Sequence, residues 1–154
     1  MGAARCIRRG QKGDLVGKLT NINDDLAALY SKGDIEAFVD AYADDAVLRS
    51  PDGVYEGKAA LLEYWTREKK TFPDSSVEMV RSIEQDDIVA GEWTWAGTHR
   101  GPLTLPDGTE VPATGKRAEA NGAEIVRFRD GKVVEHNLYF DNMAAMAQLG
   151  LLPE

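Results

Sequence analysis

The sequence predicts an α+β domain in which a long, curved, mostly antiparallel sheet wraps around N-terminal helices. Three observations lead there. Apolar residues recur at helical spacing in the first half of the chain. They alternate at strand spacing in most of the second half. The later strand segments follow one another through turns, without the helical crossovers that a parallel sheet needs. A curved sheet must bury one face, and helices that precede it in the chain are the natural cover. The result is a cone with a hollow interior, suited to a small molecule.

Each element has its own signal. Ile22, Leu26, Leu29 and Tyr30 define a helix over about residues 20–32. Gly33 suits its C-terminal stop and Asp34 the next N-cap. A second helix carries Ile35, Phe38, Val39 and Tyr42 on one face. "AVLRS" reads as a short strand, closed by the turn chemistry of "PDG". After Gly57 a third helix directs Leu61, Leu62 and Trp65 inward, and Pro73 ends it. Residues 76–84 form a strand, Asp86-Asp87 a turn, and "IVAGEWTWAGTH" a long strand. Residues 101–116, rich in Gly and Pro, make a loop or hairpin extension. Two further strands flank the turn Asp130-Gly131, and a last helix covers about 142–149.

Composition narrows the function. The 154 residues suffice for one core without staples. A net charge of −8 disfavours nucleic acid and anionic membranes as partners. Cys6 is the single cysteine, so an internal disulfide and a cysteine-rich zinc site are excluded. His99 and His136 are the only histidines, in no metal-binding spacing, so a histidine-rich metal site is not expected. No Walker loop, GxGxxG or GxSxG is present. No apolar run approaches the ~20 residues of a membrane span, and a signal peptide is missing, so a cytoplasmic protein is expected. Residues 1–18 hold Arg5, Arg8, Arg9, Lys12 and Lys18 against Asp14 alone. They are read as a flexible basic tail, and 19–154 as one domain.

Strand alternation nominates the site. Trp93, Trp95 and His99 share one face, and two indoles belong inside, with His99 near the pocket rim. On the last strand Glu135, Asn137, Tyr139 and Asp141 share a face read as a polar pocket wall. Val134, His136, Leu138 and Phe140 share the other, read as packing, against a second subunit if the protein dimerises. A carboxylate in an apolar pocket is poised for acid–base work, so Glu135 and Asp141 are the candidate acids. Each has a structural alternative: Asp141 as the cap of the last helix, and Glu135 as a surface partner of Arg127. Glu119 and Glu124 are further acids whose direction depends on a bulge near Asn121-Gly122.

The stretch "GDIEAFVDAYADDAVLRSPDGVYEGKAAL" resembles the opening of nuclear-transport-factor-2-like domains, in the cystatin-like class of folds. "WTWAGTHRG", "PATGKRAE", "EIVRFRDGKVVEHNLYFD" and "MAQLGLLP" resemble the SnoaL-like polyketide cyclase and ester cyclase branch. The resemblance covers about residues 20–154. It implies a homodimer without cofactor, in which a pocket aspartate acts as acid and base in an intramolecular aldol closure. Carried over, that aspartate is Asp141, and the histidine of "GTH" is His99. Asn137 stands where the branch commonly has tryptophan, which makes this wall smaller and more polar. The expectation is therefore a cyclase or isomerase acting on a small carbonyl compound. Asp141 and His99 would be catalytic, and Trp65, Trp93, Trp95, Glu135, Asn137 and Tyr139 would line the substrate site. Epoxide or lactone hydrolysis, hydration, and noncatalytic binding remain open alternatives on the same fold.

Overall fold

The computed structural model describes residues 17–105 and 107–152. Cys6 and the basic segment through residue 16 lie outside them. Helix α1 (Lys18–Lys32) ends at Gly33, whose φ of +80° is the left-handed conformation that closes a helix. Asp34 then caps α2 (Ile35–Asp40) by accepting from the Ala37 N–H. Tyr42, expected on the second helix, instead opens strand β1 (Tyr42–Ser50), since α2 stops at Asp40 after six residues. A tight turn leads to β2 (Gly53–Glu56), a strand beyond those the sequence predicts. Helix α3 (Lys58–Thr71) buries Leu61, Tyr64 and Trp65, whereas Leu62, expected inside, remains exposed.

The remaining strands are β3 (Ser76–Gln85), β4 (Ile88–Thr98), β7 (Arg117–Arg129) and β8 (Lys132–Phe140). A small hairpin of β5 (Leu103–Thr104) and β6 (Glu110–Val111) interrupts them, and α4 (Asn142–Leu149) closes the chain. The main sheet has the order β2-β1-β8-β7-β4-β3, with only β1 and β8 parallel. Helices α1, α2 and α3 pack in its concave side, as expected. The core joins Leu26 and Tyr30 of α1, Phe38 and Val39 of α2, and Leu61 and Trp65 of α3 to the sheet. Phe38 and Trp65 meet edge to face at 5.1 Å between ring centroids, a favoured aromatic geometry.

Two register details decide which side chains enter the cone. Strands β4 and β7 pair without interruption from Ile88↔Arg127 to Thr98↔Arg117, so no bulge occurs at Asn121-Gly122. Between β7 and β8 the partners jump from Arg127↔Glu135 to Phe128↔Val133, leaving Val134 as an extra residue. An extra residue in a strand of period two moves every later side chain to the opposite face. Val133 therefore points inward, and so do His136, Leu138 and Phe140.

Candidate active site

The cone encloses a cavity of about 210 Å³. Its walls are apolar: Trp65 from α3, Trp93 and Trp95 from β4, Phe140 from β8, and Met146 from α4. The Trp95 indole N–H donates to the Tyr30 hydroxyl at 3.1 Å, and that hydroxyl meets Ser75 Oγ at 2.9 Å, which fixes one wall. Trp93 lies across Gly122, its register partner, where any Cβ would collide with the indole. All three tryptophans line the cavity.

At the base lies a polar chain drawn from four elements. Glu124, on the uninterrupted inward face of β7, is 7% exposed. Its Oε1 accepts from Asn23 Nδ2 of α1 at 2.7 Å, and its Oε2 lies 3.0 Å from His136 Nε2 of β8. The other ring nitrogen, Nδ1, is 2.6 Å from the hydroxyl of Tyr42 on β1. Nε2 donates to the carboxylate, and the direction of the Tyr42–Nδ1 bond follows the protonation of the ring. Burial pushes the Glu124 carboxyl up. The hydrogen bond and charge of His136, with the bond from Asn23, outweigh burial and hold it below the usual glutamate value. Burial, with Glu124 nearby, keeps the Tyr42 phenol protonated, well above its ordinary range.

Glu68 also borders the cavity, from α3. Its carboxyl is pushed up to about 7, first by burial and then by Asp52, with Arg67 opposing. By accessible surface Glu68 is only half-buried. Its accessible part borders the cavity.

Several expected site residues lie elsewhere. The Asp141 carboxyl accepts from the Ala144 N–H at 2.9 Å, capping α4, and is exposed rather than facing the cavity. Glu135 lies on the outer face between Arg127 at 3.8 Å and Arg49 at 3.9 Å, the surface pairing considered as its alternative. Asn137 accepts from Arg49 at 3.3 Å on the same face, and Tyr139 is 57% exposed. All of these displacements follow from the extra residue at Val134. His136, Leu138 and Phe140, expected to pack against a second subunit, form the cavity wall instead. His99 is buried, but outside the cavity lining: its Nδ1 accepts from the Thr114 N–H at 3.2 Å and its ring packs on Phe72. Backbone bonds of His99 to Lys116 and Gly115 hold it at the base of the β5–β6 excursion. Glu119 turns outward and sits 3.5 Å from Arg117.

Sequence reasoning missed Asn23, Tyr42 and Glu68, and placed His136 in packing. Asn23 had left a trace. It falls three residues before Leu26 and seven before Tyr30, a polar side chain on the buried stripe of α1.

The curved sheet around helices, with a buried carboxylate–histidine pair under an apolar vault, defines a cone-shaped α+β domain built to hold a small molecule. The family model for SnoaL-like polyketide cyclases matches residues 20–149, and the chain belongs to that family. Among solved structures, AclR of Streptomyces galilaeus, a candidate hydroxylase, is similar at 27% identity and a TM-score of 0.75, covering 89% of this chain and 87% of its own. IdmH of Streptomyces antibioticus, a candidate polyketide cyclase, is similar at 27% identity and a TM-score of 0.72, covering 87% and 99%. A protein of ketosteroid isomerase-like fold from Catenulispora acidiphila, solved with trimethylamine, shares the fold at 16% identity and a TM-score of 0.69, covering 90% and 96%. No curated protein matched the chain. Among the described residues no helix is long and apolar enough to cross a membrane.

Proposed function

We propose that the protein is a cofactor-independent cyclase acting on a small polyketide-like carbonyl compound, with Glu124 as its general base. One observation carries this reading. A buried carboxylate faces an apolar cavity and is held in its charged form by Asn23 and His136. Glu124 takes the role that the resemblance assigned to Asp141.

In an aldol closure a Glu124 oxygen removes a proton from carbon beside a carbonyl. The C–H electron pair passes into the enolate. The enolate carbon attacks a second carbonyl carbon of the same chain, a C–C bond forms, and the displaced π pair leaves an alkoxide that takes up a proton. Asn23 and His136 fix the carboxylate, and Tyr42 fixes the His136 ring, so little reorganisation is needed as charge moves. The aromatic walls fold the flexible substrate so that its reacting carbons meet, and they keep water from the enolate. The outward row Ile83–Ala90–Ile125, with exposed Ile83 and Ile125, supports a homodimer through the convex sheet face.

The test uses 2-tetralone, a bicyclic ketone, in heavy water. Deuterium uptake at its α-carbons is followed by NMR. The protein accelerates uptake, and Glu124→Gln lowers the rate by about 10²-fold or more, the usual worth of a placed general base. A folded Glu124→Gln variant with undiminished exchange overturns the assignment.

A further inference from the structure

Glu124 supplies a base, yet ring closure also needs an acid for the oxygen that becomes a hydroxyl. Glu68 stands at the cavity from α3, on the helical side, whereas Glu124 stands on the sheet. Its situation is the reverse of Glu124's. Among the described residues no hydrogen-bond donor engages its carboxyl, and the charged groups acting on it are Asp52 and Arg67. Arg67 turns to the rings of Tyr55 and Tyr64, 5.9 and 5.6 Å from their centroids, and donates to the Tyr55 hydroxyl. Asp52 accepts from Ser50 and Tyr55. Lys69, next on the helix, lies 4.4 Å over the Tyr30 ring and donates to the Ser75 carbonyl. Leu103, Thr104 and Leu105 of the β5–β6 excursion line the same cavity and bring no charge. A carboxyl left without a donor at an apolar cavity has its own proton to offer a ligand oxygen.

We infer that Glu68 is a second catalytic group, the acid that hands its proton to a substrate carbonyl oxygen as negative charge develops there. This rests on the reading of Glu124 as base. The proton balance is complete: Glu124 gains one proton from carbon, Glu68 loses one to oxygen, and exchange with solvent restores both. Two carboxyls whose surroundings drive them in opposite directions can divide acid and base work within one site. The groups facing Glu68 are Asp52 from the β1–β2 turn, Arg67 and Tyr64 from α3, and Tyr30 from α1. Both phenols stay protonated, Tyr30 with its pKa pushed up to about 12 by burial.

The experiment measures 2-tetralone binding by quenching of tryptophan fluorescence from pH 5.5 to 8.5, together with deuterium exchange. The ketone oxygen can only accept, so it reports a donor. Wild-type affinity is level in acid and declines as pH rises through about 7, approaching tenfold per unit once the carboxyl ionises. Glu68→Gln, which keeps an N–H donor, binds with no such decline, and Glu68→Ala binds at least tenfold more weakly at pH 6. In exchange, Glu68→Gln slows turnover about 10²-fold at saturating ketone, because an amide donates a hydrogen bond but releases no proton. Wild-type binding that is absent or independent of pH, or Glu68→Ala binding at wild-type strength, overturns the inference. Exchange that survives Glu68→Gln but not Glu124→Gln removes Glu68 as acid and keeps the base. The reverse pattern removes Glu124 as base, and with it the acid role inferred for Glu68.

Discussion

Gly122→Ala tests how the cavity wall is built. Gly122 lies opposite Trp93 across β7 and β4, and a Cβ there would stand 2.8 Å from Trp93 Cε2 and closer still to Cζ2 and Cη2. Carbon atoms rest at about 3.5–4.0 Å, so the indole must move by roughly 1 Å or the strands must part. Trp93 is buried and packs against Phe140 at 5.9 Å, so it has little room to retreat except into the cavity. Forced overpacking of this kind costs about 1–3 kcal/mol. The alanine recovers about 0.4–1 kcal/mol by restricting the unfolded chain. The net loss is then about 0–2.6 kcal/mol, centred near 1.3 kcal/mol. For a chain of this size each kcal/mol lowers Tm by about 2–4 °C, so thermal unfolding should fall by several degrees and 2-tetralone should bind more weakly. Gly91→Ala is the control. Its nearest neighbour is the flexible Met79 methyl at 2.6 Å, and Glu124 Cγ lies at 3.4 Å, so Tm should hold nearly constant. A Gly122→Ala protein as stable as wild type, with unaltered tryptophan fluorescence, would refute the stacking of Trp93 on that glycine.

Asp141→Ala should cost about 1 kcal/mol, the usual worth of a lost N-cap, and leave deuterium exchange near the wild-type rate. A folded Asp141→Asn protein without exchange would return the catalytic role to the α4 cap. The Glu124 carboxyl is held below its ordinary value in the fold, so its stabilising contribution is present above the unfolded glutamate pKa, about 4.5. That contribution disappears as pH falls through the depressed folded value. The stability gap between wild type and Glu124→Gln, measured by denaturant unfolding, should therefore shrink as pH falls below 4.5. A gap that does not change with pH would mean that the Glu124–His136 contact adds nothing to the charged form.

The identity of each main element was written locally. Gly33 and Asp34 announce the break between α1 and α2, because left-handed closure and N-capping depend on one or two residues. The alternation in "VAGEWTW" placed Trp93 and Trp95 inside, because β4 runs true through that stretch. The same method failed on β8 for a single physical reason. The extra residue at Val134 reverses the two faces of the strand, and nothing in "KVVEHNLYF" marks it. One slip exchanged the polar wall expected at Glu135, Asn137 and Tyr139 for the true wall at His136, Leu138 and Phe140.

The sequence by itself determined the class of fold, the break between α1 and α2, the inward face of β4 and the likeness to SnoaL-like proteins. Those features rest on spacing and on short-range chemistry along the chain. Only the tertiary structure decided which acid is buried. Asn23, Tyr42, Glu124 and His136 come from α1, β1, β7 and β8, and they meet because the sheet curls around the helices. Glu124 keeps its charge there through two partners, each on another element, while Asp141 spends its carboxyl on the next turn of its own chain. Burial and pairing arise between elements distant in sequence, and so they take shape only when the chain folds.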